Sequence, residues 1–128
     1  MAPAAGLGVD LTRVERFRRL LSPERAAVID RLFTAGEKAY ALAKKDPAPH
    51  LAARFAAKEA FLKALGLGLR QGLSWQQLEV TRDELGKPSL RLTGRAAEIY
   101  HERGFSRLLL SYSHDGDYAF ATVILEGP

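Results

Sequence analysis

An α+β fold, an antiparallel sheet packed against helices, follows from three features of the sequence. Residues 78–82 and 89–92 alternate apolar and polar side chains around the turn signal Gly86-Lys87-Pro88. Residues 107–114 and 118–125 do the same around Asp115-Gly116-Asp117, whose residue types suit a tight reversal. Helical spacing of apolar residues fills most of the chain before the first strand pair and the stretch between the two pairs. Two hairpins separated by helix call for an antiparallel sheet.

The elements are read in chain order. Leu7-Gly8-Val9-Asp10-Leu11 is expected as a short buried strand. Thr12 with Glu15 matches a capping box, so a helix is expected to start there and Asp10 to sit where strand passes to helix. Val14, Phe17 and Leu21 then recur at helical spacing, while Arg13, Arg16, Arg18 and Arg19 make the remaining surface basic. Ser22-Pro23-Glu24 opens a second helix with proline at its first position, carried on by Val28, Ile29, Leu32 and Phe33. Thr34 and Glu37 form another capping box, ahead of Tyr40, Leu42 and Ala43. Residues 44–50, with Pro47 and Pro49, are expected as a loop. A long helix over residues 51–65 ends at Gly66, and Gly66, Gly68 and Gly72 mark a flexible turn before Trp75 and the first hairpin. Thr93 caps a last helix reaching Arg103, which Gly104 ends.

With 128 residues, 47% hydrophobic and 27% charged, the sequence is expected to fold as one domain over 1–128 that buries about two thirds of its unfolded surface. Cysteine is absent, so a metal site would have to use carboxylates or the three histidines, and oxygen ligands favour a hard cation such as Mg2+. The opening residues lack a basic stretch followed by an apolar run, and nothing approaches the ~20 apolar residues of a membrane span. A soluble cytoplasmic protein that engages no membrane is expected. The net charge of +4 points to an acidic partner: nucleic acid, an anionic surface, a phosphorylated small molecule or an acidic protein. A nucleic-acid module fits the basic first helix, but it explains neither Glu59 nor the lack of aromatics interleaved with the basic residues.

The segment from Arg54 to Gly66 is apolar or alanine on nearly every side, which places it inside the fold. At 3.6 residues per turn Arg54 and Lys58 share one strip, and Glu59 and Lys63 share another. An acid followed by a base four residues later is ordinarily a surface pair worth ~0.2–0.5 kcal/mol. Burying such charges costs several kcal/mol, more than that pairing returns, and an anionic ligand with a metal would supply the difference. Asp10 alone reads as a carboxylate complementing a helix start. Together with Glu59 it provides two carboxylates on separate elements able to converge on Mg2+. His114, ending Ser111-Tyr112-Ser113-His114, is either a satisfied strand-end histidine or a phosphate ligand. Lys87 beside Gly86 is either a turn residue or an ammonium able to approach a phosphate closely.

Taken together, Gly6-Leu7-Gly8-Val9-Asp10, the block from Arg54 to Lys63 with its Arg54, Lys58, Glu59 and Lys63, Gly86-Lys87-Pro88, and Ser111-Tyr112-Ser113-His114 resemble the small bacterial phosphopantetheinyl transferases called holo-acyl-carrier-protein synthases. The resemblance implies a 4'-phosphopantetheinyl transferase-like fold assembled as a homotrimer with active sites between subunits, the Asp10 region of one facing the Glu59 helix of the next. It implies that Asp10 and Glu59 bind Mg2+ and that Asp10, Glu59 and Lys63 carry the reaction. It further implies that Arg54, Lys58, Lys63, Gly66, Lys87, Pro88 and His114 contact coenzyme A, and that an acidic acyl carrier protein, not nucleic acid, docks on Arg13, Arg16 and Leu20.

Overall fold

The computed structural model describes residues 3–128. Strand β1 (Ala4–Arg13) leads into α1 (Val14–Leu20), a 3-10 turn over Pro23–Arg25, α2 (Ala26–Leu32), α3 (Ala35–Leu42) and α4 (Pro47–Leu65). After a second 3-10 turn, Trp75–Gln77, come β2 (Leu78–Arg82), β3 (Pro88–Leu92), α5 (Gly94–Glu102), β4 (Arg107–Asp115) and β5 (Tyr118–Glu126). The expected hairpins form: β2 pairs antiparallel with β3, and β4 with β5. β1 adds antiparallel to the free edge of β5, giving a three-stranded sheet in the order β1-β5-β4 beside the two-stranded β2-β3 sheet.

α4 lies across the β1-β5-β4 sheet and also meets α1, α3 and β2. Thirteen of its nineteen residues are buried, which is why no polar stripe shows in its sequence. One part of the core joins Ala60, Phe61 and Leu65 of this helix to Leu78, Ile99, Val123 and Leu125. The other gathers Phe17, Phe33, Leu51 and Phe55, with ring centroids 5.8 Å apart for Phe17 and Phe33 and 5.3 Å for Phe17 and Phe55.

Four local readings change. β1 runs on to Arg13, α1 starts at Val14 without a side-chain cap, and the Thr12 hydroxyl donates to Asp10 instead of capping a helix. Asp10 therefore lies inside a strand, not at its end. That strand is buried on one side only: Gly8 and Thr12 face α4, whereas Leu7 and Leu11 remain 64% and 65% exposed. Pro47 and Pro49 belong to the first turn of α4, where a missing N–H costs nothing, so the loop shrinks to residues 43–46. Ser22 precedes a 3-10 turn, and α2 proper begins at Ala26. The Thr34–Glu37 capping box is present in full, and the Gly66 cap of α4 adopts φ 76°, the left-handed conformation.

Glu37 does more than cap. It is 1% exposed, and it accepts from Thr34 N at 2.8 Å, from Val80 N at 2.7 Å and from the Lys58 ammonium at 2.6 Å. Lys58 completes its three donors on Leu32 O and Trp75 O. One ion pair thus ties α3, α4, β2 and the end of α2 together.

Two outcomes follow for stability. Glu37→Gln leaves the buried Lys58 ammonium without a counter-charge and should cost ~3–5 kcal/mol in urea denaturation. A Cβ on Gly8 would fall 1.8 Å from Ala60 O, so Gly8→Ala should cost ~1–3 kcal/mol or more in the same measurement, by forcing β1 and α4 apart.

Candidate functional site

The proximity of β1 and α4 starts from two glycines. A Cβ at Gly6 would stand 2.8 Å from Ala64 O, and one at Gly8 1.8 Å from Ala60 O, so strand and helix touch backbone to backbone. Side chains alternate along a strand, and the next residue on the face of Gly6 and Gly8 is Asp10. Its carboxylate is thereby delivered to the helix that carries Glu59 and Lys63.

Lys63 Nζ donates to Asp10 Oδ1 at 2.9 Å and to Val9 O at 3.2 Å. Thr12 Oγ1 donates to the other oxygen, Oδ2, at 2.7 Å. Burial first and the charge of Asp10 second push the Glu59 carboxyl above its ordinary value, while Lys63 and Arg16 pull it back. Arg16 enters from α1, its guanidinium 4.9 Å from the Phe55 ring centroid. Asp10 thus lies against the Glu59 helix of its own chain, where the expectation had it face that of the next subunit.

The donor set suits a hard divalent ion. It offers two carboxylates that repel one another, and the chain contains no thiolate to favour a softer metal. Among the described residues no three acidic or histidine side chains cluster as a complete cage. Mg2+ commonly takes one or two protein carboxylates and fills its other positions with water and phosphate oxygen.

A second group gathers at the opposite, β4 edge of the sheet. Tyr40, His50, Arg54, Arg82, Pro88, Tyr112 and His114 line a hollow of about 380 Å³. Arg54 is buried, stacks 4.0 Å from the Tyr40 ring centroid and donates to His50 O at 3.3 Å, yet its Nε has no partner. Arg82 reaches the Tyr40 hydroxyl, and the His50 and His114 rings lie 5.6 Å apart. Burial, then His114, Arg54 and Lys44, hold His50 below its ordinary pKa. A buried guanidinium with one unpartnered nitrogen, among histidines and a second arginine, is an arrangement for an anion.

Three residues expected at coenzyme A lie outside this hollow. Lys58 has spent all its donors in the core and presents none to a ligand, because the buried Glu37 outcompetes solvent for it. Gly66 sits exposed at the end of α4, where its part is to cap the helix. Lys87 lines a neighbouring hollow, with Arg107 and Leu109, that shares Arg82 and Pro88 with this one.

Arg13, Arg16 and Leu20 come together around a third hollow of about 590 Å³, joined by Arg19, Arg25 and Arg31. Residues missed in the sequence include Thr12, Tyr40, His50 and Arg82. Only Thr12 carried a signal, since two residues beyond Asp10 on a strand is the same face.

Both the sequence and the fold match known proteins. A family profile described as the 4'-phosphopantetheinyl transferase superfamily matches residues 6–123. The chain is 62% identical over 123 residues to a holo-[acyl-carrier-protein] synthase of Syntrophotalea carbinolica, covering 96% of each. It superposes on the holo-[acyl-carrier-protein] synthase crystal structure from Neisseria meningitidis with a TM-score of 0.88 at 35% identity, covering 97% of this chain and 99% of that one. A Bacillus anthracis holo-(acyl-carrier-protein) synthase, solved in complex with coenzyme A (3',5'-ADP), gives a TM-score of 0.79 at 31% identity and 98% coverage of both chains.

The Glu59 shift makes a prediction for the metal-free protein. A carboxyl whose pKa is raised on folding binds protons more readily in the native state, so stability falls as pH climbs through the window above the ordinary carboxylate value. Glu59→Gln should therefore be more stable than the parent at pH 7 with chelator present, and the two should converge below pH ~4, as thermal melts across pH would show.

Proposed function

The chain belongs to the 4'-phosphopantetheinyl transferase superfamily, and from that premise we propose that it transfers 4'-phosphopantetheine from coenzyme A to a serine of an apo-acyl carrier protein, with Mg2+ as cofactor. The observation that carries the reading is Asp10 held by Lys63 against the helix that also carries Glu59, near enough for its charge to raise that carboxyl. Residues 1–128 work as one transferase domain.

Asp10 and Glu59 would hold the metal, which when bound supplies charge neutralisation and orientation for the coenzyme A pyrophosphate. Lys63, one turn beyond Glu59, offers its ammonium to the phosphate charge that grows as the bond breaks. The carrier serine oxygen bonds to the phosphorus attached to pantetheine. The bond from that phosphorus to the bridging oxygen breaks, and adenosine 3',5'-bisphosphate leaves with the electron pair. Glu59, or a water beside it, takes the serine proton.

The β4-edge hollow, with Arg54, Pro88 and His114, receives the nucleotide phosphate of coenzyme A. It and the Asp10 side of the same chain lie on opposite edges of the β1-β5-β4 sheet. Leu7, Val9, Leu11 and Phe120 are exposed on the sheet's outer face, an apolar surface suited to burial between copies. The resemblance implies a homotrimer, in which one subunit's Asp10 side and a neighbour's Arg54 side build each site. Arg13, Arg16 and Leu20 receive the acidic carrier, with Arg25 and Arg31 enlarging the basic surface. No helix among the described residues is long and apolar enough to cross a membrane, and the cytoplasm is the compartment we assign.

The test is mass spectrometry of an apo-carrier incubated with the protein, coenzyme A and Mg2+. A mass gain of one phosphopantetheine is expected, abolished by chelator. Asp10→Ala and Glu59→Ala should each lower the rate by ~10²-fold or more, and near-normal modification by either variant would defeat the assignment. Arg16→Glu should raise KM for the carrier and not for coenzyme A, an effect that shrinks with added salt. Equal changes for both substrates would remove the docking role.

A further inference from the structure

Lys63 is engaged where the proposed function needs an open ligand. Its ammonium holds Asp10 Oδ1 at 2.9 Å, and Thr12 occupies Oδ2. A divalent ion brought against that carboxylate meets an ammonium at contact distance, and like charges there repel strongly. The two partners differ in freedom to move. The Asp10 side chain is 13% exposed and tied by Thr12, while the Lys63 side chain is 53% exposed on a flexible four-carbon stem. Thr12 can keep the carboxylate aimed after Lys63 departs.

We propose that Lys63 is an exchangeable counter-ion of Asp10: it holds the carboxylate in place while no metal is bound, yields Oδ1 to an arriving divalent ion, and is thereby released to meet the pyrophosphate. The inference rests on the two-carboxylate metal reading above. It sets an order of assembly in which metal precedes coenzyme A, because the ammonium is withheld from phosphate until the metal arrives. Thr12 is the fixed positioning residue of the pair, and Lys63 the mobile one.

The experiment uses Mn2+ in place of Mg2+ and no coenzyme A, reading free Mn2+ by electron paramagnetic resonance. Lys63→Met removes the competing ammonium and keeps the stem, so Mn2+ should bind about tenfold tighter. Arg16→Met removes a charge that bears on Glu59 without bonding to Asp10, and should shift the affinity far less. In a parallel measurement, the Lys63 ammonium signal in 1H–15N spectra, assigned by its loss in Lys63→Arg, should shift or broaden on adding Mg2+ alone. If Mn2+ binds the parent and is lost in Asp10→Ala, but Lys63→Met is no tighter or Arg16→Met tightens it equally, the exchange is overturned and the metal reading stands. If the parent binds no Mn2+, or Asp10→Ala binds it as well as the parent, both are overturned.

Discussion

The direct contact of β1 with α4 is the constraint from which the rest of the structure follows. Gly6 and Gly8 on the strand meet Ala64 and Ala60 on the helix with no side chain between the backbones. At that separation the next inward residue of the strand stands against the helix, and the residue there is Asp10. A larger residue at either glycine would move the carboxylate away from Glu59 by the width of the added group. The geometry of the candidate metal pair is thus set by residues that carry no chemistry of their own.

α4 shows three ways of keeping charge on a helix surrounded by protein. Lys58 is neutralised inside the core by Glu37 and by two carbonyls, at the cost of being useless to a ligand. Arg54 is stacked on Tyr40 at the wall of a hollow, its buried Nε left without a partner. Glu59 is left short of compensation, its carboxyl held up by burial and by Asp10. The first charge stabilises the fold; the other two are the ones the proposed function assigns to ligands.

The hairpins, the capping box at Thr34 and Glu37, and the glycine cap at Gly66 were legible because each depends on a few adjacent residues. The course of β1 was less so. Thr12 and Glu15 have the spacing of a cap, but pairing with β5 as far as Tyr118 keeps the strand extended to Arg13, and that partner lies more than a hundred residues away. Pro47 and Pro49 read as breakers because proline stops a helix in its interior, whereas the first turn accepts it. Leu7, Val9 and Leu11 read as buried because they are apolar. On the single chain their side of the sheet is open.

Spacing along the sequence settled which side chains α4 presents, and in what order, since the helical repeat is a local property. It also supplied the family resemblance, which rests on residue identity at fixed separations. Only tertiary structure decided that Asp10 lies against the Glu59 helix of its own chain, that Lys58 turns inward to Glu37, and that Arg54, His50, Arg82 and His114 form a separate hollow. Those outcomes depend on which distant element each side chain meets. A lysine four residues from an arginine on the same strip has no local reason to choose the core, and here a glutamate twenty-one positions earlier in the chain makes the choice for it.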